Sequence, residues 1–462
     1  MAPTRTLLSG LLGAALLLPL PLTTAASATP PAPLPAPAPA VVPAAVPAAV
    51  PAGTGERTVD YRGLRLTVPA DWRVVDLDRN PAACLRLDLA TLYLGPAGTQ
   101  EECAGRAAVQ RADTLHLEPL DGAPPRADVP TVAVDSGAAL PATPPRSDSN
   151  ELRYALRGPG VMATVSYGAA PDAVRAVLAR ARALGAGDPA PVRRPAPVLV
   201  PAALAAAPAA LRGAQDAFSG QGFDACTAPT PRTMEAWRTG SPFGAVGIYI
   251  GGRARACAQP QLTAAWVRGQ AGAGWHLMPI WVGPQPWHSS STGLSTDPAT
   301  ADGQGRAAAD GAVDAARSLG LPEGTILYND LENYTDRATW DAPVVAYLTA
   351  WTDRLHALGY RSAAYVSASS GAQALSAHYR QEPRSMPDVL WVARWNGSAT
   401  VTDADMGLPA GTSQWSGRRR AHQFQGDHDA AYGGVTLNID RNRVDVDPAA
   451  LATAGLLPLR LS

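Results

Sequence analysis

The 462-residue chain contains no Lys, and its cationic side chains are all Arg. Lys and Arg total 38 against 39 Asp and Glu, which leaves a net charge of -1. That balance gives no reason to expect a nucleic acid or an anionic membrane as the main partner. No glycine-rich phosphate fingerprint is present, so a nucleotide site is not expected. There is no H-E-x-x-H and no C-x-x-C, and the few His residues lack ligand spacing, so neither a metalloprotease nor a zinc site is indicated. His276 and His422 fall near strand starts and read as structural. No metal or organic cofactor is implied. Beyond the N-terminal leader no segment is apolar enough to span a bilayer.

The leader places Arg5 before an apolar run from Leu7 to Leu22 and ends in Ala26-Ser27-Ala28, a small-x-small pattern. This predicts a secretory signal peptide over residues 1–28 and a secreted, extracellular or wall-associated product. Without an Arg-Arg pair, the general secretory route is expected rather than the twin-arginine route. The C-terminal tail, 450–462, carries no wall-sorting signal. Cysteine usage fits export: Cys84 and Cys103 lie in one half of the chain, Cys226 and Cys257 in the other. Four cysteines allow three connectivities; pairing within each half is preferred because a linker separates the halves.

Proline marks the boundaries. Pro/Ala-rich stretches at 29–53 and 188–218 read as extended linkers, the first either a stalk or a passive spacer. Residues 54–187 carry short β-type runs (YRGLRLTVPADW, LRLDLATLYLG) and a helical close, PDAVRAVLARARAL, and predict a small α+β domain. Its acids and bases are scattered and its role is open among binding, docking and support. Over 219–449, eight β-like runs alternate with helix-like ones: GFDAC, AVGIYIGG, WHLMPIWVG, GTILYNDLE, RSAAYVSAS, DVLWVARWNG, HQFQGD and LNIDRN. Alternation of this kind predicts an α/β fold with parallel strands and outer helices, and eight strands predict a closed TIM-like (β/α)8 barrel. An open doubly wound sheet is the alternative.

Reactive groups in such barrels lie at the carboxyl ends of strands. Four carboxylates fall there: Asp224 after the first strand, Asp330 and Glu332 at the fourth, and Asp440 at the eighth. Side chains alternate along a strand, so Ile326, Tyr328, Asp330 and Glu332 share one face, and the D-x-E pair points into the mouth. Carboxylates that converge in a poorly solvated cleft repel each other until one holds a proton near neutrality. That is the equipment for protonating a glycosidic oxygen, with a second carboxylate as anion or base. Glu332 is expected as general acid, and Asp330, supported by Asp224 or Asp440, as the anion or base. Tyr249, Trp281, Gln285, Trp287, Tyr365, Trp391, Trp395, Asn396 and Gln423 lie in or just beyond the strand ends and supply rings and amides for sugars. Trp391 and Trp395 are expected to face the same way on the sixth strand.

These segments, together with LTAWTDRLHALGYRSAAYVSASSG and GGVTLNIDRN, resemble the glycoside-hydrolase-like domain of secreted actinobacterial proteins. That family is in turn similar in strand order to family 25 lysozymes. The resemblance implies a barrel, an acidic site of Asp224, Asp330, Glu332 and Asp440 with Glu332 as proton donor, and a cell-envelope glycan such as peptidoglycan as substrate. A non-catalytic glycan-binding or envelope-remodelling protein on the same barrel is the alternative.

Overall fold

The computed structural model describes residues 55–453 except 104–107, 124–125, 127–128, 185–210, 212–214, 288–292 and 382–384. The expected signal peptide, the first linker and most of the second linker and tail lie outside the described residues. Among the described residues no helix is long and apolar enough to cross a membrane.

Residues 56–184 form a small mixed domain. Strands β1 (Glu56–Tyr61) and β2 (Leu64–Pro69) form a hairpin across Arg62-Gly63. Both turn residues have positive φ, as the right-handed twist of a two-residue turn requires. Strands β3 (Arg73–Asp76), β4 (Thr91–Leu94), β5 (Thr114–Pro119), β6 (Thr131–Val134), β7 (Glu151–Leu156) and β8 (Val161–Ser166) form a sheet in the order 3-4-5-8-7-6. Helix α1 (Asp172–Ala179) buries Val174, Val177 and Leu178 against it. The predicted helical close is shorter than expected, because Arg182–Ala183 leave the helix as β9 and pair with Leu64 and Arg65.

The larger unit is a closed eight-stranded barrel: β10 (Phe218–Asp224), β11 (Phe243–Gly251), β12 (His276–Val282), β13 (Ile326–Leu331), β14 (Arg361–Ser367), β15 (Val389–Ala393), β16 (Arg419–Tyr432) and β17 (Val435–Val446). Around it lie α2 (Pro231–Gly240), α3 (Ala264–Gly272), α4 (Pro298–Ser318), α5 (Arg337–Ala357) and α6 (Gly371–Tyr379), followed by α7 (Pro448–Thr453). Helix starts are set locally: the side chains of Thr230, Asp297 and Asp336 accept hydrogen bonds from the backbone N–H three residues on. Strand parity sorts the core. Ala245, Met278, Ile280, Ile326, Tyr328, Val389 and Val444 fill the lumen, while Val246, Ile248, Leu277, Leu327, Val366 and Leu390 pack outward under the helices.

The last strand departs from the expected all-parallel barrel. Strands β10 to β16 run parallel, but β17 is antiparallel to both β16 and β10. The cause is the Gly433-Gly434 turn, both residues at positive φ, which joins β16 and β17 directly as a hairpin with no helical crossover. Asp440 therefore lies midway along its strand, level with Asp224, rather than at a carboxyl end.

Both disulfides close within their halves, Cys84 to Cys103 and Cys226 to Cys257. His276 is buried and stacked on Phe218, and burial pulls its pKa down to about 4. Both ring nitrogens of His422 are hydrogen-bonded to backbone carbonyls, of Thr400 and Arg394.

Candidate active site

The barrel mouth is built on the inward faces of β10, β11, β13, β14, β16 and β17. Asp224 ends β10 and points inward by alternation with the outward Phe223, and Gly247 beside it leaves room, since a Cβ there would come within 2.7 Å of the Asp224 Cβ. Three donors converge on its carboxylate: the Tyr249 hydroxyl at 2.8 Å, the Asn442 amide at 2.7 Å and the Gln423 amide at 3.4 Å. The same Gln423 amide lies 3.1 Å from Asp440, so one side chain joins two carboxylates. The second Asp440 oxygen accepts the Asp427 N–H at 2.7 Å. Asp427 has φ 49° at a bulge in β16, and the bulge turns that N–H onto the carboxylate.

Asp330 is buried on β13, and its Oδ1 has no hydrogen-bond partner. Glu332 follows the strand and is partly exposed at the rim. Gln285 fixes the backbone between them: its amide donates to the Asp330 carbonyl at 2.8 Å, and its oxygen accepts the Glu332 N–H at 2.8 Å. Burial, then the charges of Glu332, Asp224 and Asp440, push Asp330 well above the ordinary carboxylate range. Asp224 is also raised by burial, against the three donors that favour its ionised form. Asp440 is pushed up to about 8, chiefly by burial and the neighbouring Asp224 charge. The deeper residue of the D-x-E pair is thus Asp330, and its burial favours the protonated carboxyl.

The structure brings Tyr249, Tyr365, Gln423 and Gln285 to the four acids. The Tyr365 hydroxyl donates to Gln423 Oε1 at 3.0 Å, and Trp395 Nε1 donates to the same oxygen at 2.9 Å. Trp391 lies below them, its Nε1 donating to Asn442 Oδ1 at 3.0 Å and its ring edge-on to Tyr365 and Tyr328. It supports the site from the lumen and offers no free face. Trp395 does not share its orientation, because β15 ends at Ala393; the residue is 63% exposed at the rim, and its indole lies against Gly426.

Two expected residues lie elsewhere. Trp281 faces out of the barrel into the helical layer, where Gly251 and Gly311 make room for its ring. Asn396 is exposed and bonds Asp405 and the Ser398 N–H, organising its own loop. Trp287 is partly buried against the lumen cluster. Asn442 is absent from the sequence expectations, although it stands two residues beyond Asp440 on the same inward face, a signal that alternation carries.

The site is thus a set of carboxylates in the mouth of a closed eight-stranded barrel. Residues 235–444 match the model of the Rv2525c-like, glycoside hydrolase-like domain family. The match includes Asp330, Glu332 and Asp440 and begins after Asp224. Solved structures similar to the chain include an uncharacterized B. stearothermophilus protein (20% identity, 49% of this chain and 95% of that one, TM-score 0.35). The Mycobacterium tuberculosis Tat-secreted protein Rv2525c with L-tartrate is similar at 15% identity, over 49% of this chain and 96% of that one, with TM-score 0.35. The catalytic domain of endolysin ply40 from bacteriophage P40 of Listeria monocytogenes is similar at 15% identity, over 51% and 97%, with TM-score 0.32. No curated protein matches the sequence.

Proposed function

We propose that the protein is a secreted glycoside hydrolase that cleaves a cell-envelope glycan, most specifically peptidoglycan, with Asp224, Asp330, Glu332 and Asp440 as its working acids. The observation that carries this reading is the burial of Asp224, Asp330 and Asp440 together in one mouth. Among the described residues Asp224, Asp330 and Asp440 have no salt bridge, and the chain leaves Asp330 Oδ1 unbonded in a buried site. The same chain surrounds another fully buried acid, Glu151, with three Arg side chains. Buried like charges held together without counterions cost stability, and such sites are characteristic of acid and base catalysis.

Asp224, with three donors, is best prepared to remain an anion beside an oxocarbenium-like transition state. Glu332, at the solvent edge, is the acid that a glycosidic oxygen can reach. Entry of the glycan excludes water from Glu332 and raises its proton affinity, so the proton held by the D-x-E pair moves to the residue facing the substrate. Trp395 offers a flat, anchored ring at the rim for a pyranose face.

The test is release of soluble reducing ends from purified peptidoglycan by the mature protein and by Glu332→Gln. Release by the first and its loss in the second is expected. Silence from both, with the glycan still pelleting the protein, would replace hydrolysis with binding.

A further inference from the structure

The small domain grips the two barrel loops that carry the acidic mouth. Beyond β11, residues 252–258 lie between two segments of the small domain: the Leu87 N–H donates to the Ala256 carbonyl at 3.1 Å, and the Val109 N–H to the Ala254 carbonyl at 2.8 Å. Backbone bridges also pair Arg86 with Cys257 and Ala108 with Arg255. After β10, the Glu101 carboxylate accepts from the hydroxyls of Thr230 and Thr233 at the start of α2. The Cys226–Cys257 disulfide joins the two gripped loops.

At the centre is Glu151, 1% exposed at the start of β7. Its carboxylate meets Arg126 at 3.3 Å, Arg111 at 3.7 Å and, in contact, Arg255 of the barrel loop. Burial alone pushes Glu151 up, but the three guanidiniums hold it well below the ordinary carboxylate range. Arg255 also donates to the Tyr249 carbonyl at 3.1 Å, and Arg111 reaches the Gly252 carbonyl at 3.4 Å. The Tyr249 hydroxyl in turn holds Asp224. A continuous set of bonds therefore runs from the small domain to the first catalytic candidate.

We propose that residues 56–184 are a positioning element of the acidic mouth, and that Glu151 is the positioning residue that sets Asp224 through Arg255 and Tyr249. This rests on the reading of that mouth as the working site. It gives the small domain a role other than that of a separable binding or docking module, and it explains why a fully buried acid pairs with an Arg contributed by the barrel. An ion pair of this kind fixes geometry, and removing one partner leaves the others buried and uncompensated.

The experiment compares the full protein with Glu151→Gln, with Arg255→Lys, which keeps the charge but not a fork that can hold two partners, and with Arg157→Ala on an exposed pair as control. Amide hydrogen exchange over 247–258 is expected to rise at least tenfold in Glu151→Gln, by less in Arg255→Lys and not in the control. Loosening Tyr249 weakens a bond that favours ionised Asp224. The Asp224 carboxyl, faced also by Asp330, Asp440 and Tyr365, should therefore titrate at higher pH in 13C spectra. A fold-only role would not move that titration. Unchanged exchange and titration in folded Glu151→Gln would overturn the proposal. If that variant does not fold, calorimetry of the unaltered protein decides: a single transition supports coupling, and two resolved transitions overturn it. Exchange and titration need no substrate, so a protein that shows the coupling but cleaves no glycan refutes the hydrolase reading alone.

Discussion

Replacing Asp440 with Asn should stabilise the protein in alkaline solution while abolishing the proposed glycan cleavage. The Asp440 carboxyl has a pKa near 8 in the folded chain against an ordinary value of 3.8. The folded state therefore binds this proton more tightly than the unfolded state. Its contribution to stability is complete below about pH 4 and is lost as pH rises towards 8. At ~1.4 kcal/mol per unit, a shift of about four units corresponds to roughly 6 kcal/mol lost across that window. The introduced amide carries no charge and can still accept the Asp427 N–H, but loses the Gln423 bond, a cost of about 1–2 kcal/mol. The net expectation for Asp440→Asn is a gain of about 4 kcal/mol at pH 9 and a small loss at pH 4.5. Urea unfolding at pH 4.5, 7 and 9, with disulfides intact, measures both. A variant less stable than its parent at pH 9, or a difference that ignores pH, would refute the reasoning.

Other perturbations test separate parts of the site. Tyr249→Phe removes the hydroxyl donor to Asp224 and should cost about 1 kcal/mol of stability while raising the pH of the acid limb of the rate profile. Trp395→Ala, on an exposed ring, should leave thermal stability within about 0.5 kcal/mol yet weaken glycan pelleting at least several-fold; unchanged pelleting would remove the stacking role. Gly426→Ala puts a Cβ 2.0 Å from the Trp395 ring, so its glycan binding should fall with that of Trp395→Ala in the same assay. Gly305→Ala at the α4–α5 contact places a Cβ 2.2 Å from the Tyr347 carbonyl and should destabilise by about 1–3 kcal/mol in chemical denaturation, without changing the pH profile.

The barrel is legible in the sequence because its strands obey simple patterns. ILYND alternates lumen and helix-facing residues as period two requires, and that rule places Asp330 on the lumen face. The direction of β17 is less accessible: Gly433-Gly434 is a hairpin signal, but seven preceding strands with one direction favour a further crossover. Trp281 sits at a strand end, where a site residue is expected, yet parity puts it on the same outward face as Leu277, and parity decides. Trp395 keeps its rim position, but the alternation that would align it with Trp391 does not continue past Ala393. Asn396 departs for a related reason, since beyond a strand end the local loop, here through Asp405, sets orientation.

The role of residues 56–184 is least legible, because it depends on contacts between segments distant in sequence. Glu151, Arg111 and Arg126 look like scattered surface charges when read in order. Only the fold brings them to Arg255 and makes them a buried cluster. The contrast with the mouth then becomes informative. Glu151 is compensated by Arg, whereas Asp224 and Asp440 are met by Tyr, Asn, Gln and backbone donors. Compensation by Arg fixes a carboxylate permanently in its ionised form and suits a clasp. Compensation by Tyr, Asn and Gln holds a carboxylate in place while leaving its proton exchangeable, which suits an acid that must give and regain one. The two sets meet at Tyr249, whose backbone is held by the first and whose hydroxyl serves the second.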